Sequence, residues 1–158
     1  MKILLFILTG LFIKNVSSQQ VELLSFSVLN ERVQSVNDTL YVVNFWATWC
    51  KPCIEELPVF EKCNKEYRNK KVKIILANLD FNSKVESLVL PFIKSKNIQT
   101  EVVHITDTDA NQWINNVDTS WSGAIPATVI YRKGKKIFFK EGIVSENEIN
   151  GILSETGK

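Results

Sequence analysis

The sequence predicts an α/β fold with a central mixed β-sheet and helices on both faces. Three observations carry that expectation. Short apolar runs rich in β-branched residues, at 40–46, 72–79 and 101–105, alternate with stretches of helical periodicity. Residues 127–140 read as a hairpin, with ATVIYR and KIFFK around the turn Lys133-Gly134-Lys135. The chain has 158 residues and is 45% hydrophobic, which suits one domain with an ordinary core and excludes disorder.

Residues 1–18 stand apart. Lys2 opens them, 3–13 is almost wholly apolar, and Val16-Ser17-Ser18 supplies small residues for a cleavage site. That is the pattern of a secretory signal peptide, and it leaves 19–158 as the folded domain. Without Lys2 and Lys14 the basic and acidic residues are equal in number. No basic stripe argues for nucleic acid as a partner. No stretch approaches the ~20 apolar residues of a membrane span. An exported chain meets oxidising conditions.

The elements follow in order. Phe26, Leu29, Val33 and Val36 share helical spacing, for a helix starting about Ser25 or Ser27. Asn37-Asp38 marks a turn, and the sequon Asn37-Asp38-Thr39 is read as that turn alone. Leu40 to Trp46 is a buried strand, broken at Ala47-Thr48. A helix then runs to about Asn69, with Pro52 in a first turn that tolerates proline and Pro58 placed to kink it. Val59, Cys63 and Tyr67 share its apolar face, so Cys63 reads as a core residue rather than a third redox thiol.

Residues 72–79 form a second buried strand. Ser83 is expected to cap a helix over 85–96, interrupted by Pro91. Residues 101–105 make a short strand whose His104, the only histidine, reads as structural. Asp107 to Asp109 should cap a helical piece bearing Trp113, Ile114 and Val117. The loop from Trp121 to Thr128 leads into the hairpin, and 146–153 makes the last helix.

Cys50 and Cys53 carry the chemistry. The thiolate, not the thiol, is the nucleophile. A helix N-terminus presents unpaired N–H groups and about half a positive charge, so a thiolate at Cys50 is favoured there. Cys53, one turn on, can attack a mixed disulfide formed at Cys50. A zinc site has the same spacing but needs a second ligand pair, and only Cys63 and His104 are available, at unrelated positions. A purely structural bridge over so short a loop gains little. The pair is therefore read as a redox couple that needs no cofactor besides its own disulfide, and no metal ligand is assigned.

The segment WATWCKPCIEELP resembles the active-site segment of the TlpA/ResA-like branch of the thioredoxin superfamily, disulfide oxidoreductases of the bacterial cell envelope. Trp46, Trp49, Cys50, Pro52, Cys53, Glu56 and Pro58 match its pattern. The resemblance implies a thioredoxin-like fold in which Cys50 attacks and Cys53 resolves. It implies that Glu56 lies near the cysteines and handles the proton of Cys53. Asn44 stands where ordinary thioredoxin has a buried aspartate, a replacement the branch shares. It also implies a cis Ile125-Pro126 bond facing the cysteines, with Ile125 offering strand-type hydrogen bonds to a substrate chain. Trp49 and Pro52 would flank that substrate, Trp49 covering the disulfide and Trp46 packing beneath the turn.

The implied activity is reduction of disulfides in exported client proteins, in the periplasm or cell envelope, fed by an upstream membrane or envelope electron donor. Apocytochromes c before haem attachment are the clients the resemblance suggests. Three other readings remain at this point: a thiol peroxidase, a copper chaperone pairing the cysteines with His104, and a binding module without redox activity.

Overall fold

The structure is a computed structural model and describes residues 20–156. The signal peptide expected over 1–18 lies outside the described residues. The strands are β1 (Glu22–Leu24), β2 (Leu40–Trp46), β3 (Val72–Asn78), β4 (Glu101–Ile105), β5 (Ala127–Arg132) and β6 (Lys135–Glu141). The helices are α1 (Phe26–Val33), α2 (Lys51–Tyr67), α3 (Leu90–Ser95), α4 (Ile114–Val117) and α5 (Glu146–Thr156). The strands form one sheet in the order β1-β4-β3-β2-β5-β6. β1, β4, β3 and β2 run parallel, and β5 and β6 are antiparallel additions, so the sheet is mixed as expected.

β2 is central because its side chains are apolar on both faces, the mark of a strand covered twice. Val42 and Trp46 join the core beneath α2 with Leu57, Phe60, Ile74 and Leu76. Val43 and Phe45 point the other way, into a core with Phe26, Leu29, Trp113 and Trp121. The hairpin turns at Lys133 (φ 50°) and Gly134 (φ 74°). A side chain at 134 would meet the Gln34 carbonyl oxygen at 2.8 Å, so this position needs glycine for its angle and its room.

Several expectations are corrected. β1 was not foreseen: three residues are too few for a period, and the strand exists because β4 offers it a parallel edge. Arg32 fastens that edge, bonding Glu22 and Glu101 at 2.8 and 2.9 Å. α1 ends at Val33, leaving Val36 beyond it and exposed. Asp107 does not cap the piece near Trp113; it accepts the Phe26 N–H at 2.7 Å and so caps α1 from across the fold. Asp109 does that local capping, accepting from Asn111 N. Ser83 caps nothing: 82–96 divides into a 3-10 turn (Asn82–Lys84), a π-helical turn (Val85–Val89) and α3. Pro91 lies in the first turn of α3, directly after the π-helical turn, whose last bond runs from Leu90 N to Val85 O.

α2 runs as one helix through Pro58, which faces solvent. Its buried face is Cys53, Glu56, Leu57, Phe60, Cys63 and Tyr67, at steps of three and four, with Val59 only half-buried. Cys63 is fully buried, its Sγ donating towards Asn150 Oδ1 at 3.8 Å. Burial pushes its thiol up to about 11. Iodoacetamide should therefore leave Cys63 untouched in the native protein at neutral pH. Cys63→Ala should cost about 1 kcal/mol in urea unfolding. Rapid native labelling, or a variant with unaltered stability, would remove Cys63 from the core.

Candidate active site

The reactive segment begins where β2 ends. Cys50 N donates to Ala47 O at 3.1 Å, closing a turn. Thr48 holds that turn to the far side of the loop after β3: its N–H and hydroxyl donate to the two carboxylate oxygens of Asp80 at 2.8 and 2.6 Å. Cys50 is then the N-cap of α2, and its Sγ accepts the Cys53 N–H at 3.3 Å. A negative sulfur at that position meets an N–H aimed at it as well as the helix end. Pro52 sits in the first helical turn, exposed. Cys50 and Cys53 are bonded, with S–S 2.01 Å.

Both cysteines are largely covered, Cys50 at 5% exposure and Cys53 at 0%. Of the two residues, Cys50 keeps the small exposed share. Trp49 stands beside it at 65% exposure, presenting its ring to solvent. Trp46 is fully buried, tilted against Phe92 with ring centroids 5.5 Å apart.

The loop before β5 comes to the disulfide. Ile125 O lies 3.6 Å from Cys50 Sγ, and the Ile125–Pro126 peptide bond is cis. Trp121 Nε1 donates to Ala124 O at 2.8 Å. Ser122 donates through N and Oγ to Glu141, and Gly142 N donates to Pro126 O at 2.7 Å. These bonds tie the loop to β6, so the backbone near Cys50 is held in place.

Glu56 lies three residues beyond Cys53 on the buried face of α2, at 2% exposure. Its Oε1 accepts from Asn44 Nδ2 at 2.7 Å and its Oε2 from Val144 N at 3.0 Å. Burial pushes the carboxyl up to about 7, against the pull of those two donors and of Lys140. Asn44 Nδ2 also donates to Thr128 Oγ1 at 3.1 Å, while Asn44 Oδ1 has no partner. A half-turn of that amide would present the bare oxygen to a protonated Glu56. Asn44 can therefore serve either charge state of its neighbour.

Sequence reasoning missed Asp80, Thr128 and Val144. Thr128 stands opposite Asn44 in the β2–β5 register, which local pattern does not reveal. His104 is buried with both ring nitrogens engaged by asparagines. Among the described residues no group of three or more His, Cys, Asp or Glu gathers to hold a metal ion.

The AhpC/TSA family profile matches residues 19–140 of the chain. The chain belongs to the AhpC/TSA family. The thiol-disulfide oxidoreductase ResA of Bacillus subtilis (strain 168) is 32% identical over 113 residues, covering 71% of this chain and 58% of that protein. ResA of Oceanobacillus iheyensis is 30% identical over 115 residues, covering 72% and 55%. The crystal structure of StoA from Bacillus subtilis superposes with a TM-score of 0.58 at 24% identity, covering 73% of this chain and 82% of that one. The chain thus spans little more than half the length of these curated relatives. Within the AhpC/TSA family they support the TlpA/ResA-like branch, and the structural likeness shows a thioredoxin-like fold.

The raised carboxyl of this AhpC/TSA-family site has a measurable consequence. The folded protein keeps the Glu56 proton to a higher pH than the unfolded chain does. The associated stability is fully present below about 4.5, the ordinary carboxyl value, and is lost as pH rises through about 7. Glu56→Gln removes that loss. Between pH ~5 and ~8 the wild type should fall by on the order of 2–3 kcal/mol relative to the variant in urea unfolding of the oxidised protein. Parallel pH dependences would show that Glu56 does not titrate in this range.

Proposed function

We propose that the protein is a thiol-disulfide oxidoreductase that reduces disulfides of exported proteins through Cys50 and Cys53. One observation carries the reading: Cys50, bonded to Cys53, caps α2 beside the Ile125 backbone, and a buried carboxyl poised near neutrality lies on the same helix face as Cys53. The name of the ResA relatives, thiol-disulfide oxidoreductase, supports it.

The cycle starts from the dithiol. The Cys50 thiolate attacks one sulfur of a client disulfide, forms a mixed disulfide and releases the other client sulfur as a thiolate. Cys53 gives its proton to the Glu56 carboxylate and attacks Cys50 Sγ. The Cys50–Cys53 disulfide forms and the second client thiolate leaves, taking up a proton. The client gains two electrons and the protein loses two. An acid with a pKa near the working pH suits such a transfer in both directions. The Cys50–Cys53 dithiol supplies both electrons and is left as the disulfide, so the cycle calls on no further cofactor.

Ile125 would pair with the client backbone as an added strand does, while Trp49 and Pro52 meet its side chains. The apolar segment after Lys2 supports export to the periplasm or envelope. No helix among the described residues is long and apolar enough to cross a membrane. An envelope or membrane donor would have to restore the dithiol, because oxidising surroundings will not.

Insulin reduction with a dithiol donor tests the proposal. The wild type should accelerate precipitation of the insulin B chain. Cys50→Ser and Cys53→Ser should each abolish turnover, and Cys63→Ala should retain it. Peroxide consumption without insulin reduction would replace this reading with a peroxidase.

A further inference from the structure

His104 is the only histidine of the chain, it is wholly buried, and the cycle above does not use it. Its Nδ1 lies 2.9 Å from Asn78 Oδ1 and its Nε2 lies 2.7 Å from Asn82 Oδ1. Both facing atoms are acceptors, and other bonds fix both amides. Asn78 Nδ2 donates to Asp80 Oδ2 at 2.7 Å, and Asn78 Oδ1 accepts from Asp80 N at 3.1 Å. Turning Asn78 over would aim its oxygen at the Asp80 carboxylate and its NH₂ at an N–H. Asn82 Nδ2 donates to Thr106 O at 3.0 Å. That is a single bond at an exposed position, so Asn82 is the easier of the two to turn.

The geometry therefore requires a proton on Nδ1 in every charge state of the ring. From Nδ1 the bonds run on without a break. His104 donates to Asn78, Asn78 donates to Asp80, and Asp80 receives both Thr48 donors of the turn that delivers Cys50. Asp80 is the charged group facing the ring. Leu23 on β1, Asn78 on β3 and Asn82 in the 3-10 turn, its other partners by pairing or bond, do not titrate. Burial draws the ring's pKa below its ordinary value and Asp80 pulls it back. The proton lost on neutralisation is the one on Nε2, and that loss frees Asn82 while leaving the Thr48 branch intact.

We propose that His104 is a positioning residue for the reactive turn, holding Thr48 through Asn78 and Asp80 and thereby setting the reactivity of Cys50. This rests on Cys50 as the attacking thiol, as proposed above. The first arm of the test does not. A ¹⁵N–¹H correlation spectrum of the single histidine, recorded on the oxidised wild type from pH ~5 to ~8, should show the neutral ring protonated at Nδ1. A neutral ring protonated at Nε2 would overturn the proposal, whatever the activity of the protein.

The second arm reads the reduced protein by alkylation of Cys50 against pH. Asparagine at 104 can keep a donor near the place of Nδ1, and leucine cannot. His104→Leu should slow alkylation of Cys50 at mildly acidic pH by up to about tenfold, the scale of a charge losing its alignment with a helix end. His104→Asn should restore the wild-type profile. A leucine variant with the wild-type profile, or an asparagine variant that behaves like leucine, would overturn the proposal. If the leucine variant does not fold, the tautomer measurement decides alone. If the tautomer is as expected but Cys50 is not the thiol that alkylates, the activity proposal fails and the histidine's bonds stand.

Discussion

A carboxyl group buried under the helix that bears both cysteines is the constraint around which the site is arranged. Burying Glu56 without partners would be costly, so the fold brings it two donors. One is Asn44 on the central strand and the other is the Val144 backbone just before α5. A single side chain thus ties β2, α2 and the C-terminal segment together, and Asn44 extends the tie to β5 through Thr128. Asparagine at 44 follows from this. An aspartate there would set two carboxylates against each other and drive one of them far from its ordinary pKa. The amide donates instead, and Glu56 alone holds the titrating proton.

The pair of sulfurs is covered, and a partner reaches it through what surrounds Cys50. Cys50 is 5% exposed, but its neighbours Trp49, Lys51 and Pro52 are open to solvent and Ile125 O lies beside it. A cavity of about 720 Å³ lies at the other end of β2, lined by Leu40, Tyr67, Lys71 and Arg132. The disulfide lies instead among those exposed neighbours, outside that cavity. That suits an extended protein segment laid along a loop more than a small molecule enclosed in a pocket.

Much of this was legible in the sequence where the signal is local. Strand, turn, cysteine and helix follow from residues 40–67 because apolar runs, proline and cysteine spacing act over a few residues. The hairpin at 133–134 was legible for the same reason. The approach of Ile125 to Cys50 was reached only through resemblance, since the two are far apart in the chain. What escaped notice are bonds that join distant segments. Asp107 capping α1, Asp80 gripping Thr48, and Val144 meeting Glu56 leave no periodicity to read. β1 escaped because three residues paired at a sheet edge have no pattern of their own. The 3-10 and π-helical turns before α3 escaped because Pro91 marks only where the regular helix starts.

In the proposed cycle Glu56 takes the proton of Cys53 when the mixed disulfide resolves. The most direct measurement is single-turnover release of a thiol from a mixed disulfide preformed at Cys50. It is followed across pH in the wild type and in Glu56→Gln. Release should be slower in the variant, towards the ~10²–10⁴-fold range of general acid–base catalysis. The wild-type profile should bend near pH 7, because burial pushes the Glu56 carboxyl up to about 7, and the variant should lose this bend. Superimposable profiles would contradict it and leave the proton of Cys53 to water.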